Sequence, residues 1–291
     1  MRWGAAETLQ RAHIGYGVIR GGAPLEEMKR YRALIFSQPD GLSPEVCQNL
    51  EGYVRQGGAL YFSGAGAPEL LRRLTGGVYR DMSPGKYAYL RPRREGVLWM
   101  PDYTDWYPLP IPLSLPLVEG IPRETVTAEI TLPYPAEGPG RFASIHSDPP
   151  GRPTEFPGMA ALSVGKGRVL WSAAPVECFP EPDCRRLLLA ALDSALPEPM
   201  ERMSGDAPSR VELIAFDAPE RRRIFVSAVD LNDEAQAEVQ QPFTVTLRTG
   251  APVGQVCLLP EGEPVAFARQ GDEVRFSVRD LRICAQYALE W

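Results

Sequence analysis

Histidine is scarce in this sequence: only His13 and His146 occur among 291 residues. A metal centre built on imidazole ligands needs more than that, so the composition argues against a metalloenzyme. The five cysteines are an odd number and lack the paired spacing of a zinc site, which is typical of reduced thiols in a cytoplasmic protein. The composition therefore predicts no metal ion and a cytoplasmic location.

Long apolar runs and blocks of basic residues are also missing. No stretch approaches the ~18 apolar residues that a membrane-spanning helix needs, and the first residues lack the apolar core of a signal peptide. The formal net charge is −6, and lysines and arginines form no extended block. This charge balance argues against a nucleic acid or an anionic membrane as partner.

Proline, by contrast, is abundant, with 30 residues that cluster between positions 101 and 182. Such clustering predicts long loops in that region. The chain is long enough for one large domain or two ordinary ones, and either can bury a full hydrophobic core.

The first part of the chain shows alternating helix and strand signals. A helix is predicted over residues 5–13, followed by the strand "GYGVI", a short helix and a strand at 32–36. Ser43 and Pro44 are typical of a helix N-terminus, and Gly57 and Gly58 end that helix, because glycine accepts a left-handed conformation without strain. "ALYFS" has the continuous apolar character of a strand covered on both faces, and "PELLRRLTG" predicts the next helix.

This alternation predicts a parallel, doubly wound sheet. Such a domain normally opens with a strand, yet this chain opens in a helix. Either the domain lacks its first strand, or Met1 lies inside what is a longer chain in related proteins.

The signal changes from about residue 80 to short strand candidates among proline-rich loops, including "RFASIH". Two further strands joined by a hairpin at 165–167, and a helix over "EPDCRRLLLAALDSAL", complete a domain predicted at 1–200. "PEPMERMSGDAPS" is predicted to be a linker. Seven short segments with period-two alternation follow and predict a small β-sandwich at 208–291. They are "RVELIAFDA", "RRIFVSAVDL", "FTVTLRT", "GQVCLLP", "PVAFAR", "EVRFSVRDL" and "CAQYALEW".

Two long stretches and the helix after them resemble one known family. "YRALIFSQPDGLSPEVCQNLEGYVRQGGALYFSG" and "SIHSDPPGRPTEFPGMAALSVGKGRVLWSAAPVE" resemble the β-galactosidase trimerisation domain, a class I glutamine-amidotransferase-like module of bacterial glycoside hydrolases. The terminal segment resembles the β-sandwich that follows it there and in α-fucosidase-like relatives. The resemblance implies a flavodoxin-like α/β domain followed by an all-β sandwich. It also implies a homotrimer, or docking onto a separately encoded TIM barrel, which in the family carries the catalytic carboxylates.

The turn "SGAGA" after "ALYF" is where enzymes of this fold carry their nucleophile. An amidotransferase needs a cysteine there and a histidine base beside it, but the turn offers only Ser63. The Gly-x-Ser-x-Gly pattern of serine hydrolases is absent, and Cys47 lies in the middle of a helix. The turn has neither a Walker nor a dinucleotide pattern. We therefore predict no catalytic residue and no cofactor.

The segment "WMPDYTDWYPLPIPL" is the most suggestive region for ligand contact. Its aromatic rings can stack on sugars, and its carboxylates can accept hydrogen bonds from sugar hydroxyl groups. The same residues suit a subunit interface or plain loop packing, and we favour these two interpretations over sugar binding. The candidate ligand or interface residues here are Trp99, Asp102, Tyr103, Asp105, Trp106 and Tyr107.

Two smaller groups of polar residues complete the candidates. His146, with Arg141 and Asp148 nearby in sequence, is more typical of a structural hydrogen bond than of catalysis. The acidic run Glu177, Glu181 and Asp183 is expected to be solvated loop charge.

Together these observations favour a non-catalytic accessory or oligomerisation portion of a β-galactosidase-like glycoside hydrolase, without the TIM barrel. The alternatives are a stand-alone glycoside or amide hydrolase, or a carbohydrate-binding module, using residues 99–107 and His146.

Overall fold

The computed structural model describes residues 4–94, 96–134, 149–200, 202–231 and 241–291. Its contacts divide the chain into two compact units. The first holds residues 19–198 with Gly4 and Ala5, and the second combines Ala6–Val18 with Pro199–Trp291. None of the helices in the described ranges is long and apolar enough to cross a membrane. The predicted strand "RFASIH" lies outside the described residues.

The helix Pro44–Arg55 begins where the sequence carries local start signals. Ser43 Oγ accepts a hydrogen bond from the backbone N–H of Val46 at 3.3 Å, Pro44 opens the helix, and Gly57 follows its end with φ 120°. The described helices are α1 Gly4–Arg11, α2 Leu25–Met28, α3 Pro44–Arg55, α4 Pro68–Thr75, α5 Gly96–Trp99 and α6 Pro182–Ser194.

The first unit is built on one mixed sheet. The described strands of this unit are β1 Ala33–Phe36, β2 Ala59–Ser63, β3 Val78–Met82, β4 Ala88–Pro92, β5 Leu109–Ile111, β6 Pro116–Glu119, β7 Val126–Pro133, β8 Pro150–Val164 and β9 Gly167–Ser172. β3 and β6 form a separate two-stranded sheet, and the other seven strands form the mixed sheet. The order in the main sheet is β1-β2-β9-β8-β7-β4-β5. β1, β2 and β9 are parallel, whereas the remaining neighbours are antiparallel.

The parallel core confirms the predicted α/β class. Every residue of β2 is buried, and α3 contacts both β2 and β9 while α4 contacts β9. This burial explains why "ALYFS" is continuously apolar. The antiparallel half lies in the proline-rich region, where short loops and bulges replace helical crossovers.

The region before β1 differs from the prediction. The expected strand "GYGVI" is wrong, since residues 14–20 form no regular structure; two glycines in five residues give a strand little to pack. Within the described residues before Ala33 there is no strand, and β1 lies at the edge of the sheet.

The C-terminal part of the second unit, from Pro199 onward, is built on β-strands, as predicted. Its strands are β10 Met203–Gly205, β11 Val211–Ala218, β12 Arg223–Asp230, β13 Phe243–Arg248, β14 Gln255–Leu259, β15 Glu263–Pro264, β16 Phe267–Gln270, β17 Glu273–Val278 and β18 Cys284–Glu290. They form the sheets β10-β13-β17-β16 and β11-β12-β18-β14-β15. Residues of both sheets, such as Val245 and Val226, share one hydrophobic core, which makes the unit a β-sandwich.

The predicted linker 197–209 is wrong in one detail. Met203–Gly205 forms β10 and pairs with β13, with Met203 buried in the sandwich core. Three residues are too short to show a period-two pattern, so the pairing follows from the tertiary fold.

Candidate functional site

The carboxyl ends of the parallel strands meet at one edge of the sheet, where α/β enzymes bind their substrates. The turn after β2 packs closely there. A Cβ on Gly66 would lie 2.7 Å from the carbonyl oxygen of Pro39, and the indole Nε1–H of Trp171 donates to the carbonyl of Gly64 at 2.8 Å. Gly64 has φ 76°, a left-handed conformation that favours glycine. Close packing therefore accounts for Gly66, and the left-handed backbone conformation accounts for Gly64.

Glu177 is the centre of a hydrogen-bond cluster at this edge. It lies in the 3₁₀ turn that follows β9 and is only 1% exposed. Its carboxylate accepts hydrogen bonds from the hydroxyl groups of Tyr61 at 2.6 Å, Ser63 at 2.5 Å and Ser37 at 2.7 Å. The expectation that Glu177 is solvated loop charge is therefore wrong. The sequence carries no signal for the path of the chain that brings these hydroxyls to the carboxylate.

Ser63 is held in this cluster rather than presented to a substrate. Its side chain is fully buried, its proton is donated to Glu177, and its oxygen accepts the backbone N–H of Gln38 at 3.1 Å. Burial, with the Glu177 carboxylate beside it, raises the pKa of Tyr61 well above its usual range, so the phenol stays a donor. This geometry is that of a structural anchor. The absence of a catalytic residue stays a prediction.

The aromatic segment divides between core and surface. Trp99 is 7% exposed and belongs to the hydrophobic core, so its rings are not presented to a ligand. Tyr103 and Tyr107 stack with ring centroids 5.9 Å apart and an interplanar angle of 4°. Trp106 is 93% exposed and Tyr107 68% exposed. Trp106, Tyr107 and Tyr103 thus form an aromatic surface, which we call the aromatic loop.

Charged side chains tie the aromatic loop to α6. The hydroxyl of Tyr103 donates to Asp183, and Arg186 bridges Asp183 and Asp102, with 2.8 Å to the Asp102 carboxylate. The hydrogen bonds from Tyr103 and Arg186 hold the pKa of Asp183 below its usual value, while burial and the Asp183 contact raise the pKa of Tyr103. Asp102 and Asp183 therefore fix the loop through Arg186, whereas the exposed Asp105 forms no ion pair within the described residues.

We expect Asp183→Asn to cost about 1 kcal/mol at neutral pH, a value reduced for the partial exposure of this carboxylate. Because folding lowers the pKa of Asp183, its contribution is complete above the unfolded value of about 3.9 and is lost as the pH falls through the lower folded value. Urea unfolding at neutral pH and near pH 3 should show the difference from the parent protein shrinking with acid. A difference that is constant with pH, or equal to that of the exposed-site control Asp105→Asn, would contradict this assignment.

A second group of residues forms a cleft of about 770 Å³ beside the aromatic loop. Its charged lining includes Arg91, Arg93, Arg94, Arg123 and the buried Glu129, with Tyr103 and Asp105 on its wall. We call it the arginine cleft. This cleft was not predicted from the sequence, although the run "RPRR" at 91–94 is a local signal of positive charge. The positions that complete the cleft come from β7, β8 and a distant 3₁₀ turn.

The register between β4 and β7 brings together the two residues of the central ion pair in the arginine cleft. Arg91 on β4 is the direct cross-strand partner of Glu129 on β7, and the two side chains form an ion pair. Arg93 Nη1 lies 2.7 Å from the other Glu129 oxygen. Arg123 pairs with Glu155 at 3.1 Å, and this contact holds the pKa of Glu155 below its usual value. The arrangement is a set of guanidinium groups oriented by carboxylates.

The remaining candidates of the sequence analysis, Arg141 and His146, lie outside the described residues, as does Asp148.

Comparison with known proteins gives matches at the level of structure. No family model matches this chain. No curated protein matches its sequence. α-L-Fucosidase isoenzyme 2 from Paenibacillus thiaminolyticus matches with a TM-score of 0.76 and 18% identity, over 99% of this chain and 44% of that chain. A catalytic mutant of Gan42B, a GH42 β-galactosidase from G. stearothermophilus, matches with a TM-score of 0.62 and 15% identity, over 99% of this chain and 36% of that chain. A β-galactosidase from Bacillus circulans sp. alkalophilus gives 0.60 and 15%, over 98% and 36%.

This chain has the fold of one part of these glycoside hydrolases. The chain spans between 36% and 44% of their length, so it corresponds to a portion of each enzyme. The predicted resemblance to the α/β module and the β-sandwich of this group is thereby confirmed for the fold. Sequence identities of 15–18% carry no information on activity or substrate.

Proposed function

We propose that this chain is a non-catalytic accessory and oligomerisation portion of a bacterial β-galactosidase-like glycoside hydrolase. The observation that carries the proposal is the match of 99% of this chain to 36–44% of the length of known glycoside hydrolases. In the family that the sequence resembles, a TIM barrel carries the catalytic carboxylates. The proposed role is assembly, either as a homotrimer or by docking onto a separately encoded barrel, in the cytoplasm.

The carboxyl edge of the sheet supports a structural role. In enzymes of this architecture the turn after the second parallel strand presents a nucleophile to an open cleft. Here the corresponding Ser63 is buried and hydrogen-bonded to Glu177, so it cannot reach a substrate in this conformation. The site is occupied by an internal anchor.

Two surfaces of the first unit suit an assembly partner. β1 pairs only with β2 among the described residues, which leaves one side of an edge strand for another chain. The exposed Trp106 and Tyr107 provide large, rigid contact area of the kind enriched in interfaces. Either surface can serve a second copy or a barrel protein.

Native mass spectrometry tests the proposal. We expect a trimer, or a stable complex when the chain is co-expressed with a TIM-barrel protein encoded by a neighbouring reading frame. Trp106→Ala should weaken an interface that uses the aromatic loop by about 2 kcal/mol or more. Ile283→Ala, at another exposed apolar residue, is the matched control and should leave the assembly intact. A strict monomer that binds no barrel protein would overturn the proposal.

Carbohydrate binding without chemistry is a second candidate function. The observation that favours it is the almost complete exposure of Trp106 beside the stacked Tyr103–Tyr107 pair. Aromatic faces of this kind stack on sugar rings. Binding to a glycan array would support this function over assembly alone. Turnover of chromogenic glycosides by the purified chain would instead support the stand-alone hydrolase.

A further inference from the structure

The described lining of the arginine cleft carries more positive than negative charge, and the proposed assembly role does not explain this excess. Among the residues that the structure describes, four arginines line the cleft, Arg91, Arg93, Arg94 and Arg123, against the carboxylates of Glu129, Glu155 and Asp105. The excess positive charge occurs in a chain whose formal net charge is −6. A concave surface that concentrates cations on an acidic protein raises the local concentration of anions.

Glu129 orients two of these arginines. It is buried, and its two oxygens contact Arg91 and Arg93 directly. Each guanidinium carries five N–H donors, whereas the carboxylate can accept about four hydrogen bonds in total. Glu129 therefore fixes the geometry of the arginines and leaves donors for another acceptor.

Several polar groups near Glu129 lack a partner. Arg91 Nε is buried and has no acceptor among the described residues. Thr131, two positions from Glu129 on β7, is buried with its hydroxyl unpaired within the same ranges. Arg94 is exposed on the cleft wall and forms no ion pair with any residue that the structure describes. A buried polar group without a partner is uncommon, and Arg91 Nε is such a group on a residue that lines the cleft.

We propose that the arginine cleft binds a small ligand that carries an oxyanion, either the carboxylate of an acidic sugar or a phosphate group. Guanidinium groups bind both anions through paired, charge-assisted hydrogen bonds. The volume of about 770 Å³ lies in the range of small-molecule sites, about 300–1,000 Å³. Tyr103 on the wall offers an apolar surface to a sugar ring.

Calorimetric titration of the full chain tests this site. The probes are glucuronate, inorganic phosphate and the neutral glucose. We expect at least one of the two anions to bind about tenfold or more tightly than glucose, and the binding to weaken with added salt. Glucuronate binding identifies an acidic sugar, whereas binding of phosphate alone identifies a phosphate-bearing ligand. Binding of neither anion, or glucose binding of equal strength, overturns the proposal.

Two variants, one that removes a positive charge from the cleft and one that removes a negative charge, test whether the anion binds there. Arg94→Gln removes a cation that forms no described ion pair, and we expect it to weaken anion binding by about tenfold. Glu155→Gln removes a carboxylate and releases Arg123, so it should tighten binding by about two- to threefold. Arg72→Gln, an equal charge change on the exposed face of α4, is the matched control and should change nothing. Circular dichroism confirms that each variant is folded. Anion binding that responds to none of the cleft variants overturns the assignment.

Discussion

Replacing Glu177 by alanine is expected to lower the free energy of unfolding by about 3–5 kcal/mol. The carboxylate accepts hydrogen bonds from Tyr61, Ser63 and Ser37. Two of these donors are buried, and each loses its partner without gaining water, at about 1–3 kcal/mol apiece. Ser37 is exposed and can bond to solvent.

Urea unfolding followed by tryptophan fluorescence measures this effect. Glu177→Gln keeps an acceptor oxygen in place and should lose less than the alanine variant, about 1–3 kcal/mol. Glu181→Ala removes an exposed carboxylate four positions away and should stay within about 0.5 kcal/mol of the parent protein. If Glu177→Ala is as mild as Glu181→Ala, the cluster does not anchor the carboxyl edge.

Gly167→Ala is expected to cost about 3 kcal/mol or more. A Cβ at this position would lie 2.2 Å from the carbonyl oxygens of both Val54 and Gly58. These are main-chain atoms at the end of α3 and in the turn after it, so no side-chain rotation relieves the overlap. The start of β9 would have to move away from α3.

Gly52→Ala provides a matched glycine in the same unit. Its Cβ would meet Leu25 Cδ2 at 3.5 Å, an ordinary contact, and it lies inside α3. We therefore expect Gly52→Ala to stabilise the protein by about 0.5–1 kcal/mol, because glycine is a poor helix former. Thermal and urea unfolding of the two variants should move in opposite directions. A Gly167→Ala protein as stable as its parent would mean that α3 and β9 are packed less tightly than the structure shows.

The two predictions test opposite edges of the parallel strands. Glu177 follows β9 and tests whether polar contacts hold the carboxyl edge of the sheet together. Gly167 begins β9 beside Gly58, so it tests the packing at the amino ends of the strands. A large loss at Glu177 would show that the carboxyl edge serves the stability of the fold, as the proposed accessory role requires of residues at an enzyme's usual active-site position.

Much of the fold is determined by local sequence. Ser43 and Pro44 start α3, and the glycines after it end that helix, because capping and left-handed turns depend on neighbours a few residues away. The apolar run of β2 and the alternating strands of the sandwich likewise follow from short-range pattern and burial. The resemblance of two long stretches to a known module predicted the rest of the architecture.

The contents of both candidate sites were decided by tertiary structure alone. Ser63 and Glu177 are 114 positions apart and Arg91 and Glu129 are 38 apart, so their contacts depend on strand order and register. Glu177 belongs to an acidic run that by composition predicts solvated charge, yet the turn after β9 places it beneath buried hydroxyls. A short pattern can specify how a segment folds, but it cannot specify which distant segment will supply the partner of a buried charge.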